Sequence, residues 1–217
     1  MIITKNKPID VILDSLNDVK SVFLVGCAQC AAVCKTGGEE EVSGMTKILE
    51  KEGKRVTGGA VLDPMCHLVK VKQFYQKNKK ALLESDSIVV LACGDGVQSI
   101  MDGTKGMQVT PALDSLFLGE LQRGGHFVQK CILCGDCIVD KTGGICPVTI
   151  CTKGLLNGPC GGSKNEKCEV DKDRECGWIL IYKRLKDKGK LDKLKEFAKP
   201  QDHSKQLKPQ KFIVGGK

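Results

Sequence analysis

Between residues 8 and 120, short unbroken apolar runs alternate with stretches whose apolar residues recur three and four apart. The first pattern predicts buried strands and the second amphipathic helices, and their alternation builds a parallel sheet covered by helices. Pro8 suits the first turn of a helix, with Ile9, Ile12, Leu13 and Leu16 on one face. SVFLVGC, residues 21 to 27, is an apolar strand ending in Gly-Cys. A helix through Val42, Met45, Ile48 and Leu49 follows and stops at Gly53; VTGGAVLD is the next strand, weakened by its two glycines. Leu68, Val71, Phe74, Tyr75, Asn78 and Leu82 mark a further helix, and SIVVLAC, residues 87 to 93, a third strand. The expected fold class is α/β, a Rossmann-like parallel sheet domain over residues 1–120.

Near Gly119 to Gly125 this pattern breaks, and from Cys131 to Cys176 the chain shows neither period. Residues 121–178 are expected to form a small irregular cysteine-rich domain. Trp178, Ile181, Tyr182 and Leu185 then predict a closing helix, followed by a lysine-rich helix and a basic tail, within residues 179–217. A length of 217 residues suits one sizeable core plus a smaller module.

The net charge of +8 suggests nucleic-acid binding until it is located. From Lys183 onward, 12 Lys/Arg face 4 Asp/Glu, while residues 1 to 182 balance. With aromatic residues at only 4%, no base-stacking platform is expected, and no nucleic-acid partner. The polar start MIITKNKPID lacks an apolar signal region, and runs such as SIVVLA fall far short of the about 20 residues that cross a bilayer. A cytoplasmic protein without membrane insertion is the expectation.

Thirteen cysteines in such a chain do not read as a disulfide framework, because the cytoplasm keeps thiols reduced and an odd number cannot pair completely. Metal ligation is the common remaining reason for so many. With only His67, His126 and His203 available, the ligand sets must be nearly pure thiolate, which points to iron–sulfur clusters or four-cysteine zinc.

Cys131-x2-Cys134-x2-Cys137 is the strongest motif, since two-residue gaps wrap a loop around one corner of a cubane and offer three thiolates to three irons. Cys146 precedes Pro147 as the Cys-Pro cysteine of ferredoxins does, although an eight-residue gap separates it from Cys137 instead of three. Cys151, Cys160, Cys168 and Cys176 complete eight thiols, enough for two four-cysteine sites, the more widely spaced of which is also compatible with one zinc ion.

An N-terminal set comprises Cys27, Cys30 and Cys34, with Cys66 and Cys93 further on. Cys27 and Cys93 end predicted strands and Cys66 follows another, so these cysteines converge at the carboxyl edge of the sheet, where such folds place ligands. Cys30 and Cys34 are four apart on a helix start, whose dipole favours anionic sulfur. Five thiols for four irons leave one spare: Cys27, Cys30, Cys34 and Cys93 are expected as the ligands, with Cys66 spare. The expected cofactors are therefore two or three [4Fe-4S] clusters, with zinc as the replacement for one C-terminal cluster. No catalytic constellation stands out: ACGDGVQ lacks the full phosphate-binding glycine spacing, and only His67 beside Cys66 offers a base to a nucleophilic thiol.

CAQCAAVCKTGGEEEV, SIVVLACGDGVQ, KCILCGDC, GGICPVTICTKGLLNGPCGG and CEVDKDRECGWILIYKRL together resemble the methylenetetrahydrofolate reductase C-terminal domain family, and within it the small MetV-type partner subunits of acetogenic bacteria. The likeness runs over most of residues 8 to 185. It implies a non-catalytic iron–sulfur subunit that relays electrons to the FMN of a flavin-containing catalytic partner. That partner reduces 5,10-methylenetetrahydrofolate to 5-methyltetrahydrofolate in the reductive acetyl-CoA (Wood–Ljungdahl) pathway. A further electron-input partner is implied, whether a ferredoxin, a heterodisulfide-reductase-like protein or an NADH-oxidising flavoprotein. The runner-up readings are an iron–sulfur subunit of another anaerobic oxidoreductase complex and a zinc-stabilised binding module.

Overall fold

The computed structural model describes residues 1–214 and divides the chain into two compact units, Met1–Leu118 and the residues from Gly119 onward. In the first, β2 (Ser21–Cys27), β3 (Arg55–Leu62), β4 (Ser87–Leu91) and β5 (Val109–Pro111) form a parallel sheet in the order β3-β2-β4-β5. The mixed α/β class with a Rossmann-like parallel sheet is thus observed. Strands β2 and β4 are buried along their whole length, which is why they read as continuous apolar runs rather than alternating ones.

The helices of this unit are α1 (Ile9–Asp14), α2 (Cys30–Val33), α3 (Glu39–Lys51), α4 (Leu68–Leu83) and α5 (Gly94–Gly103). Ile12, Leu16, Val42, Leu49, Val71, Phe74, Tyr75, Leu82 and Ile100 enter one core with Phe23, Leu24, Ile88 and Val90. Phe23 and Phe74 meet edge-on at 5.8 Å between centroids. Several residues expected on the apolar faces stay outside: Ile9, Ile48 and Leu68 are exposed. They lie at the margins of their helical stripes, and the core is already filled by their neighbours.

Two further elements escaped the apolar pattern. β1 (Ile2–Asn6) pairs antiparallel with β6 (Leu113–Leu121), Ile2 opposite Leu118 and Asn6 opposite Leu113, with a bulge between Ile3 and Thr4. Along β1 only Ile3 and Thr4 are buried, and along β6 only Leu113, so neither strand is written as a buried apolar run. The Thr4 and Thr36 hydroxyls share a buried 2.7 Å hydrogen bond that ties β1 to the loop after β2.

In the second unit, residues 119–121 at the end of β6 pair with β7 (Phe127–Gln129). The cysteine-rich stretch contains one short helix, α6 (Pro147–Ile150), and two isolated bridges, before α7 (Gly177–Asp187) closes it. Trp178, Ile181 and Leu185 on α7 form a small core with Ile145, Leu155 and Leu191, and the Trp178 indole donates to the Leu155 carbonyl at 3.0 Å. Tyr182, expected on that face, is exposed. The lysine-rich helix is reduced to a single 3-10 turn, Leu191–Lys195, because its spaced lysines leave no apolar stripe to bury.

Candidate metal centres

The sheet order reverses between β2 and β4, since β3 lies on one side of β2 while β4 and β5 lie on the other. The carboxyl ends of these two strands therefore flank a topological switch point, the crevice where open α/β sheets bind ligands. Gly26 is in register with Leu91 and Cys27 with Leu62. Cys27 thus ends β2 at this crevice, Cys93 leaves β4 as the N-cap of α5, and Cys66 lies in the turn between β3 and α4. The three are within electrostatic reach of one another: burial of the Cys66 sulfur, then the charge of Asp95 and those of Cys93 and Cys27, push the Cys66 thiol up. Cys66 as a residue is exposed.

The loop from Ala28 to Gly37 folds over the same edge. Cys27 donates its amide to the Gly37 carbonyl at 2.8 Å, and Ala28 donates to Leu62 at 2.9 Å. Glycine is required twice here. A Cβ on Gly37 would stand 2.1 Å from the Leu91 carbonyl oxygen, and one on Gly26 would stand 2.3 Å from the Gly37 oxygen. Cys30 opens α2, but α2 is a single turn and Cys34 caps its far end. The expectation of two cysteines along one helix face is replaced by one at each end of a turn, too short for a sustained dipole. The Cys34 thiol points to the Ile2 carbonyl, 3.9 Å away, and so toward β1.

In the second unit, Cys131, Cys134 and Cys137 lie on a loop whose Leu133 and Gly135 adopt left-handed conformations, φ 57° and 76°. This turns the Leu133 amide onto the Cys131 sulfur at 3.3 Å, a backbone N–H donation of the kind that stabilises sulfur bound to iron. Cys134 is buried, and Cys131 and Cys137 are exposed. Cys146 caps α6 and accepts from the Thr149 hydroxyl at 3.4 Å. It lines a groove of about 550 Å³ with Lys130, Arg174, Lys183 and Arg184.

Cys151, Cys160, Cys168 and Cys176 line one cavity together, with Lys153, Glu169 and Trp178. Here Cys176 is the N-cap of α7 and Cys151 follows α6. The Cys160 thiol donates to Glu169 at 3.4 Å, and Glu169 is ion-paired with Lys153. Hydrogen bonds from the Thr152 hydroxyl and then from the Asp171 and Val170 amides hold the Cys168 thiol below its ordinary value, favouring the thiolate that metals bind.

Among the described residues, no three of His, Cys, Asp or Glu stand close enough to grip one metal ion. The donor chemistry fits soft metals throughout: nearly pure sulfur, amides turned toward it, and thiols placed at helix starts. Thiols gather at three places: the sheet edge, where Cys27, Cys66 and Cys93 are within electrostatic reach, the Cys131–Cys137 loop, and the four-cysteine cavity.

ACGDGVQ, weighed as a phosphate turn, begins α5, and no helix of the described chain is long and apolar enough to cross a membrane. No curated protein and no solved structure matches the chain. Residues 110–204, less than half of the chain but containing all eight cysteines of the second unit, match the family model described as methylene-tetrahydrofolate reductase C terminal.

Proposed function

We propose that the chain is the iron–sulfur electron-transfer subunit of a methylenetetrahydrofolate reductase complex, of the MetV type. Its clusters pass electrons singly to the FMN of a separate catalytic subunit, which reduces 5,10-methylenetetrahydrofolate in the reductive acetyl-CoA pathway of acetogens. The observation that carries this reading is the coincidence of the family match, residues 110–204, with the eight-cysteine segment 131–176. Cys131, Cys134 and Cys137 would hold one cluster, the Cys151–Cys176 cavity a second, and the sheet-edge cysteines a third. A bound cluster supplies reversible one-electron storage. The chain's own residues supply thiolates, sulfur-directed amides and the positive charge of Lys153 beside Cys160 and Cys168.

One observation favours zinc at a single site. The cavity of Cys151, Cys160, Cys168 and Cys176 measures about 20 Å³, room for one atom-sized guest rather than a cubane. Metal analysis of the chain purified without oxygen decides: about 12 irons for three cubanes, or about 8 irons with one zinc for two. Iron near zero would refute both. The isolated chain is expected to hold no flavin and to show no folate reductase activity.

A further inference from the structure

The net positive charge of the chain belongs to its second unit. From Gly119 onward 20 Lys/Arg face 12 Asp/Glu, whereas residues 1–118 carry 14 of each. Part of this excess is gathered at two adjoining hollows of about 550 Å³ each. Lys130, Arg174, Lys183 and Arg184 line the first, with Asp187 as its one acid. Lys164, Lys167 and Lys172 line the second, where the one acid, Glu169, is already paired with Lys153. The Lys183 ammonium joins the two, reaching at 2.6 Å the carboxylate of Glu166, whose neighbours Asn165 and Lys167 line the second hollow.

The two faces of α7 explain how the first hollow arises. Trp178, Ile181 and Leu185 pack into the small core, while Leu180, Lys183, Arg184 and Asp187, three and four residues apart, turn to the hollow. Its floor is apolar and half-buried, with Val128, Val139, Ile145 and Ile150, and its cations are exposed. Among the described residues, Lys164, Lys172 and Arg184 form no ion pair. The pairs of Lys130 with Glu120, at 3.5 Å, and of Lys183 with Glu166 are exposed, so water screens them and an incoming carboxylate can displace their acids. Each hollow is also lined by one thiol, Cys146 in the first and Cys168 in the second.

We propose that the two hollows together are the docking surface for the acidic face of a small electron-carrying protein. This rests on the proposed function, since on that reading the two thiols belong to redox centres. Carboxylates of the carrier replace Glu120 and Glu166, and its apolar side chains cover the floor of the first hollow. A free inorganic anion would gain nothing from that floor, and neither lining offers an aromatic ring on which a nucleic-acid base could stack. The opposite charges steer the carrier to this face, which concentrates their effect on the rate of encounter and makes it salt-dependent.

The test uses the full chain purified without oxygen and, as probe, an oxidised ferredoxin of strongly negative net charge, with binding followed by calorimetry. Raising salt from about 10 to about 100 mM shortens the screening length from about 30 to about 10 Å and should weaken binding by the parental chain about tenfold. Lys172→Glu combined with Arg184→Glu should weaken binding at low salt about tenfold with iron content unchanged. Lys77→Glu combined with Lys79→Glu makes the same change in net charge at exposed positions of α4 and should bind as the parent does. No binding by the parent, binding indifferent to salt, or an equal loss in the α4 variant overturns the inference and leaves the proposed function standing. Tighter binding of a single-stranded RNA at the same salt overturns it as well. A parental chain without iron overturns both. If the double variant loses iron, Lys172→Gln in its exposed turn decides alone: a loss of about threefold is expected, and parental affinity overturns the docking surface.

Discussion

Replacing Gly37 by alanine tests whether the sheet edge is built as tightly as its contacts indicate. Gly37 is not in the left-handed region, so alanine is strained by contact alone. Its Cβ would stand 2.1 Å from the Leu91 carbonyl oxygen, 3.0 Å from the Leu91 carbonyl carbon and 2.8 Å from the Ala31 Cβ. Two of these are backbone atoms of β4, which cannot rotate away. Overpacking costs about 1–3 kcal/mol, and backbone obstruction places this case near the top of that range. The lower entropy of the unfolded alanine chain returns roughly 0.4–1 kcal/mol. The net expected loss is about 2 kcal/mol, a large share of the about 5–15 kcal/mol that stabilises a typical protein.

Because the chain has two units, a single unfolding midpoint would blend them. Hydrogen exchange of peptides covering β2 and β4 reads the affected unit directly. Protection there should fall by about 2 kcal/mol, with loss of iron from the N-terminal site as the loop carrying Cys30 and Cys34 shifts. Gly44→Ala is the control: its Cβ meets nothing within 4 Å, in the middle of α3, so it should stabilise by about 0.5–1 kcal/mol. Unchanged protection in Gly37→Ala, or an equal loss in Gly44→Ala, would refute the steric reasoning.

Three further outcomes are expected. Cys66→Ala and Cys93→Ala should each empty the N-terminal site, while Cys34→Ala, its thiol turned to Ile2, should retain iron; iron counts in the three variants check this, and retention in Cys66→Ala would restore Cys66 as the spare. Ile181→Ala removes a fully buried side chain from the small core of the second unit, and should lower the stability of that unit by about 2–5 kcal/mol, read from Trp178 fluorescence. The Ser21 amide, then its hydroxyl and the Lys20 amide hold the Asp86 carboxyl below its ordinary value. The stability this adds is therefore present above the ordinary carboxylate pKa and is lost as pH falls through the lowered native value. Asp86→Asn should be less stable near neutrality and lose less on acidification, and identical acid limbs in urea titrations would contradict it.

The parallel sheet was legible because burial on both faces writes strands as apolar runs, as in SVFLVGC and SIVVL. β1 and β6 were not, because only Ile3, Thr4 and Leu113 are buried along them. α5 was hidden by its glycines, two of which are buried against neighbours, Gly96 near Met65 and Gly103 near Val71. Cysteine spacing supplied eight thiols for two sites without dividing them, and the structure gathers Cys151, Cys160, Cys168 and Cys176 around one cavity. The direction of the Cys34 thiol, toward the Ile2 carbonyl, depends on where β1 lies, a long-range pairing that no local pattern contains.

The most direct test of the account is to photoreduce the anaerobically purified chain and mix it with an oxidised, FMN-containing methylenetetrahydrofolate reductase subunit from the same source. The account predicts that broad visible absorption returns to that of the oxidised clusters while the flavin band bleaches, at rates that increase with the concentration of the chain. A chain that is colourless, or that stays reduced beside an oxidised flavin, would contradict it.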